Sequence, residues 1–149
     1  MPGEDYLIIT FKVKNAENKY HSIMLIDDNE IDNLINQKMI ESASICDRIF
    51  VHTGAKSAIE FLKNMEKLAI ESKEGFLPEI IFLDIDMPLM DGFQFLDEFE
   101  KLSEATREHS KIIMLTSSLN PLDMQKAKKN KLIVKYLNKP LSQENLKKL

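Results

Sequence analysis

Four short blocks of strongly β-forming residues, each closed by a polar cluster, limit what this chain can fold into. They are Ile23-Met24-Leu25-Ile26, Ile80-Ile81-Phe82-Leu83, Ile112-Ile113-Met114-Leu115 and the weaker Leu132–Leu137. None alternates cleanly between apolar and polar residues. A strand with one wet face alternates, whereas a short continuous apolar run suits a strand buried on both faces, as in a parallel sheet covered by helices. Arg48–His52 (Arg-Ile-Phe-Val-His) is a fifth candidate strand.

Helical periodicity fills the intervals. Within Glu30–Ser42, Ile31, Leu34, Ile35, Met39 and Ile40 recur at helical spacing. Ala58, Phe61, Leu62, Met65, Leu68 and Ala69 do so within Lys56–Glu71, and Phe93, Leu96, Phe99 and Leu102 after Gly92. Leu122–Asn130 is a shorter fourth pattern, opened by Asn120-Pro121, a cap followed by a proline. Ser142 caps a fifth, Ser142–Leu149. The order is strand–helix, five times over. It predicts an α/β fold: a (βα)5 doubly wound, five-stranded parallel sheet with right-handed crossovers and a helical layer on each face.

The chain has 149 residues, enough for one domain with a full core that needs neither disulfides nor structural metal. Residues 22–149 form the predicted domain and residues 1–21 an N-terminal extension. In that extension Tyr6–Val13 is apolar and β-prone. It adds an edge strand, pairs with another chain or is linker; an ordered extension without catalytic role is the reading preferred here. The interval from Thr53 to Pro78 is long for one helix and a loop, which predicts an extended second helix or a longer connection.

In doubly wound sheets the binding crevice lies beyond the carboxyl ends of the strands, where the strand order reverses. The chemistry-bearing residues should therefore follow the apolar runs, and they do. Asp27-Asp28 follows the first, Asp84 the third strand, Thr116-Ser117-Ser118 the fourth, and Asn138-Lys139-Pro140 the fifth. Carboxylates completed by water and phosphate oxygens suit Mg²⁺. A lysine ammonium pairs with phosphate as a point charge, and a threonine hydroxyl can donate to a phosphoryl oxygen. An aspartate can be the nucleophile that forms an acyl phosphate. Together these groups describe phosphoryl transfer to a carboxylate, run by positioning and charge neutralisation.

The segments that carry these residues are Ile23 to Asn29, Ile81 to Gly92 (Ile-Phe-Leu-Asp-Ile-Asp-Met-Pro-Leu-Met-Asp-Gly), Ile113 to Ser118 and Tyr136 to Pro140. From about Ser22 to Leu149 the chain resembles the CheY-like receiver domain of two-component response regulators, a flavodoxin-like three-layer sandwich. The resemblance implies that Asp84 is the phosphoacceptor. It implies that Asp27 and Asp28 bind Mg²⁺ (or Mn²⁺) together with Asp84 and the backbone carbonyl of Asp86. Thr116 matches the switch hydroxyl and Lys139 the phosphate-pairing lysine, with a cis bond to Pro140. Tyr136 matches the aromatic switch, and Asp86 and Ser118 stand where the family tunes dephosphorylation. A sensor histidine kinase or histidine phosphotransfer protein is the implied donor. A downstream protein is the implied target, read from the face of the fourth helix, fifth strand and fifth helix, which is also a candidate homodimer surface. The domain is then no enzyme beyond phosphorylating and dephosphorylating its own Asp84.

Other classes fit less well. A haloacid-dehalogenase-type phosphohydrolase also uses Asp-x-Asp after an apolar strand, as in Asp84-Ile85-Asp86, but its nucleophile lies on the first strand and its second acidic pair comes late in the chain. A pseudo-receiver scaffold would lack some of the five side chains found here. A receiver cut from a larger regulator or hybrid kinase is a further alternative. His21, His52 and His109 share no metal-ligand spacing, and a lone Cys46 argues against a disulfide framework and for a reducing compartment. A net charge of −4 argues against direct nucleic-acid binding, and the late lysines read as solvated helix faces. No apolar run reaches the roughly 18 residues of a membrane span, and the start of the chain lacks the basic stretch of a signal peptide. Cytoplasm is the expected compartment.

Overall fold

A computed structural model describes residues 18–72, 77–117 and 120–149. The β-prone segment Tyr6–Val13 and the expected tuning residue Ser118 lie outside the described residues. The strands are β1 (Tyr20–Ile26), β2 (Cys46–His52), β3 (Ile80–Leu83), β4 (Lys111–Thr116) and β5 (Ile133–Asn138). All pair in parallel, in the order β2-β1-β3-β4-β5. The order reverses between β1 and β3, so the crevice predicted for such sheets opens between the ends of these two strands.

The continuous apolar runs of β1, β3 and β4 are explained by burial on both faces, whereas the run of β5, an edge strand, is fully buried only at Ile133. In β1, Ile23 and Leu25 face one core with Ile40, Phe82, Leu115 and Leu146. Met24 and Ile26 face the other, with Leu62, Phe95, Phe99 and Met114. Helices α1 (Glu30–Ala43) and α6 (Gln143–Lys147) cover the first face; α2 (Ala55–Ser72), α3 (Gly92–Glu100) and α5 (Pro121–Lys129) cover the second. The expected three layers are present, and the long Thr53–Pro78 interval is largely the 18-residue α2.

Two expectations are corrected. Among the described residues there are six helices, not five, because α4 (Glu104–His109) is inserted before β4. Ser103 caps it by accepting from the Thr106 N–H. Glu66 of α2 then holds it down, accepting from the Ser103 N–H at 3.2 Å and the Thr106 hydroxyl at 2.6 Å. A six-residue helix is too short to show periodicity in sequence.

The second correction concerns α1. Its periodic apolar residues Ile31, Leu34 and Ile35 point outward, at 68%, 55% and 44% exposure. Its buried residues are Asn33, Asn36 and Ile40. The two asparagines face inward because they satisfy main-chain groups there. Asn33 Nδ2 donates to the Asp27 carbonyl at 2.7 Å, and Asn36 Oδ1 accepts from the Leu141 N–H at 2.9 Å. A buried peptide group without a partner is costly, so polar residues displace leucine and isoleucine from the inner face.

Candidate functional site

The crevice is assembled from strand ends held by main-chain bonds. The Asp27 N–H donates to the His52 carbonyl at 3.1 Å, and the Asp84 N–H to the Ile26 carbonyl at 3.0 Å. The Lys139 N–H donates to the Thr116 carbonyl at 3.1 Å. Sheet register thus places Asp27, Asp84, Thr116 and Lys139 along one rim. Asp27, Asp84 and Thr116 are each no more than 4% exposed, whereas Asp28 is open to solvent.

Local capping sets the side chains. Asn29 caps α1, its Oδ1 accepting from the Ile31 and Asp32 N–H groups, each at 3.0 Å. Its own N–H donates to Asp27 Oδ1 at 2.9 Å, so the helix start and the carboxylate are positioned together. Asp84 Oδ1 accepts from the Asp86 N–H at 3.2 Å. Asp91 caps α3 in a reciprocal box with Gln94. Gly92 is needed for close approach: a Cβ there would lie 2.5 Å from Ile85 Cα and 2.8 Å from the Asp84 carbonyl oxygen. Only a residue without a side chain lets α3 begin against the Asp84 loop.

One carboxylate oxygen from each of Asp27, Asp28 and Asp84 comes within 4.8 Å of the others. This is an all-oxygen, anionic donor set, the chemistry preferred by Mg²⁺, so the residues fit such an ion. Lys139 lies against them with its side chain only 9% exposed. Its Nζ contacts Asp27 Oδ2, reaches Asp32 Oδ2 at 3.2 Å and lies 3.5 Å from Asp84 Oδ2. Burial pushes the Asp84 carboxyl up, Lys139 opposes this, the Asp27 charge adds to it, and the Asp86 N–H pulls back; the result is about 6. For Lys139, burial disfavours the charged form but is outweighed by the Asp27 hydrogen bond, Asp84 and Asp32, so its pKa is raised and the ammonium stays charged. The bond between Lys139 and Pro140 is cis, as expected.

Tyr136 stands apart from the acids on β5. Its hydroxyl donates to the Ala127 carbonyl of α5 at 2.9 Å, and its half-buried ring packs on the core. Asp32 is the site residue that sequence reasoning missed. An acidic residue in the first turn of a helix is ordinary dipole chemistry, and its partner stands 107 positions away.

A sequence profile for the "Response regulator receiver domain" matches residues 23–149. The chain belongs to the response regulator receiver family. The "Sensor histidine kinase CheAY" of Helicobacter pylori is 29% identical over 91% of this chain, which spans only 15% of that protein. The "Probable methanogenesis regulatory protein FilR2" of Methanothrix harundinacea is also 29% identical, over 85% of this chain and 76% of the relative. Among solved structures, a two component response regulator from Cytophaga hutchinsonii aligns with a TM-score of 0.76 and 30% identity, covering 88% of this chain and 94% of that one. The domain is a CheY-like receiver of two-component signalling, and its family accepts phosphoryl groups. This membership favours the receiver reading over the haloacid-dehalogenase one. Among the described residues, no helix is long and apolar enough to cross a membrane.

Proposed function

We propose that Asp84 is the phosphoacceptor of this receiver and that Asp27, Asp28, Thr116 and Lys139 serve the transfer. The observation that carries this is the packing of three carboxylates within 4.8 Å of one another, with a buried lysine against them. Like charges this close persist where a cation compensates them. Mg²⁺ or Mn²⁺, held by Asp27, Asp28, Asp84 and the Asp86 carbonyl, would neutralise charge on the transferring group.

The ionised Asp84 carboxylate attacks the phosphorus of a phosphohistidine. A new P–O bond forms as the P–N bond to imidazole breaks, and the bond's electron pair stays on the ring nitrogen, which takes a proton. Lys139 pairs with one phosphoryl oxygen and the Thr116 hydroxyl donates to another. Inward movement of Thr116 frees space next to Tyr136, shifting the population of the α5–β5–α6 face. That face is the proposed contact for a downstream protein and a candidate homodimer surface. Because the groups that assist the transfer all belong to this chain, phosphorylation and dephosphorylation of Asp84 are self-catalysed, with the donor protein supplying only the phosphoryl group.

The donor is a sensor histidine kinase or a histidine phosphotransfer protein. Exposed Ile31, Leu34 and Ile35 on α1, beside the acidic rim, support docking of an apolar protein surface there. Residues 22–149 are the proposed receiver, residues 1–21 an extension outside the chemistry, and the cytoplasm the working compartment. The test is incubation with Mg²⁺ and acetyl phosphate. The expected result is at most one equivalent of hydroxylamine-sensitive phosphate per chain, absent without Mg²⁺ and absent in Asp84→Asn. Labelling that survives Asp84→Asn refutes the assignment.

A further inference from the structure

Lys139 has more carboxylate partners than phosphate pairing requires. Besides Asp27 and Asp84, its Nζ donates to Asp32 Oδ2 at 3.2 Å, closer than its 3.5 Å approach to Asp84 Oδ2. Asp32 is held in place by its own helix, because its N–H donates to the capping Asn29 Oδ1 at 3.0 Å. Its side chain is 35% exposed, so its charge is less costly to keep than those of the buried acids. A cavity of about 280 Å³, lined by Asp32, Ile35, Asn36, Ser117, Lys139 and Pro140, leaves room for the ammonium on that side.

These contacts create a conflict. The carboxylates of Asp27 and Asp84 cannot serve a divalent cation fully while Lys139 is bound to both. A buried ammonium displaced from its partners needs another anion nearby. We propose that Asp32 is a positioning residue that receives the Lys139 ammonium when Asp27 and Asp84 turn to the cation. Asp32 then releases the ammonium to the phosphoryl group once Asp84 is modified. The inference rests on the acidic-site reading above and adds a residue and a step to it.

The experiment is a double-mutant cycle read by isothermal titration calorimetry with Mg²⁺ alone on the full chain. Asp32→Asn in the otherwise native protein is expected to weaken Mg²⁺ binding about two- to fivefold, the scale of a partly exposed ion pair. Asp32→Glu, which keeps the charge, is expected to restore most of the affinity. In a Lys139→Met background Asp32→Asn should have a clearly smaller effect, because the ammonium that needs a partner is gone. An equal loss in both backgrounds would mean that Asp32 acts on the cation only through space, and would overturn the proposal. No loss in the native background would overturn it too. If the native chain binds no Mg²⁺ at all, the acidic-site reading fails first and takes this inference with it.

Discussion

Replacing Asp84 by asparagine should stabilise the metal-free protein at neutral pH, by an amount that acid erodes. Asp84 is 4% exposed, and its carboxyl is raised from an ordinary 3.8 to about 6, chiefly by burial. A folded-state pKa above the unfolded value means that the native state binds the proton more tightly. The stability linked to this group is therefore complete below about pH 4 and is lost as pH rises through about 6. A shift of about two units corresponds to about 3 kcal/mol lost by pH 7, since one unit is worth about 1.4 kcal/mol. Asparagine has nearly the same shape and no charge, and Lys139 retains Asp27 and Asp32. Urea unfolding without metal should thus show Asp84→Asn more stable than the native chain at pH 7, by up to about 3 kcal/mol. By pH 5 the gap should narrow by about 1 kcal/mol, because much of the native Asp84 is then protonated. Mg²⁺ at tenfold its dissociation constant should add about 1.4 kcal/mol to the native protein, and much less to the variant. A gap that is constant or widens in acid would refute the claim that burial of the Asp84 charge is only partly compensated in the metal-free state.

Three further outcomes follow from the geometry. Gly92→Ala forces a Cβ to within 2.5 Å of Ile85 Cα and should cost about 1–3 kcal/mol on thermal unfolding, with slower acetyl-phosphate labelling because the Asp84 loop must shift. Asn36→Ala leaves the Leu141 N–H without its 2.9 Å acceptor in a buried setting, so a loss of about 1–3 kcal/mol is expected in urea unfolding. Leu34→Glu, on an exposed position of α1, should leave stability and acetyl-phosphate labelling within error of native while slowing phosphotransfer from a protein donor; an unchanged protein-to-protein rate would remove α1 from the docking surface.

The legibility of the fold differs between its parts. The runs of β1, β3 and β4 appear as buried strands because two-sided burial leaves no polar position to blur the signal, and β3 is buried at all four residues. The weaker run of the edge strand β5 carries Lys135 and is only partly buried. Asn120 and Ser142 acted as caps where expected. By contrast, α1 was misleading: Ile31, Leu34 and Ile35 of its apolar stripe face solvent, and its inner face carries, beside Ile40, two asparagines that serve the Asp27 and Leu141 main chain. Periodicity reports where apolar residues lie on a helix, not which side the rest of the chain occupies. The helix α4 was hidden because its anchor, Glu66, belongs to a distant helix.

The candidate site divides in the same way. Asp27, Asp28, Asp84, Thr116 and Lys139 were visible because a parallel sheet puts the carboxyl ends of all its strands on one rim, and each residue lies within two positions of the end of an apolar run. That relation is local and can be read from the chain. The three-way contact of Lys139 with Asp27, Asp84 and Asp32, the raised Asp84 carboxyl and the close fit of Gly92 under Ile85 were not visible. They depend on strand order, helix rotation and burial, which bring together residues as far apart as 32 and 139. Which residues can carry the chemistry was written in the order of the chain. How their charges compete was decided only when the tertiary fold removed water from between them.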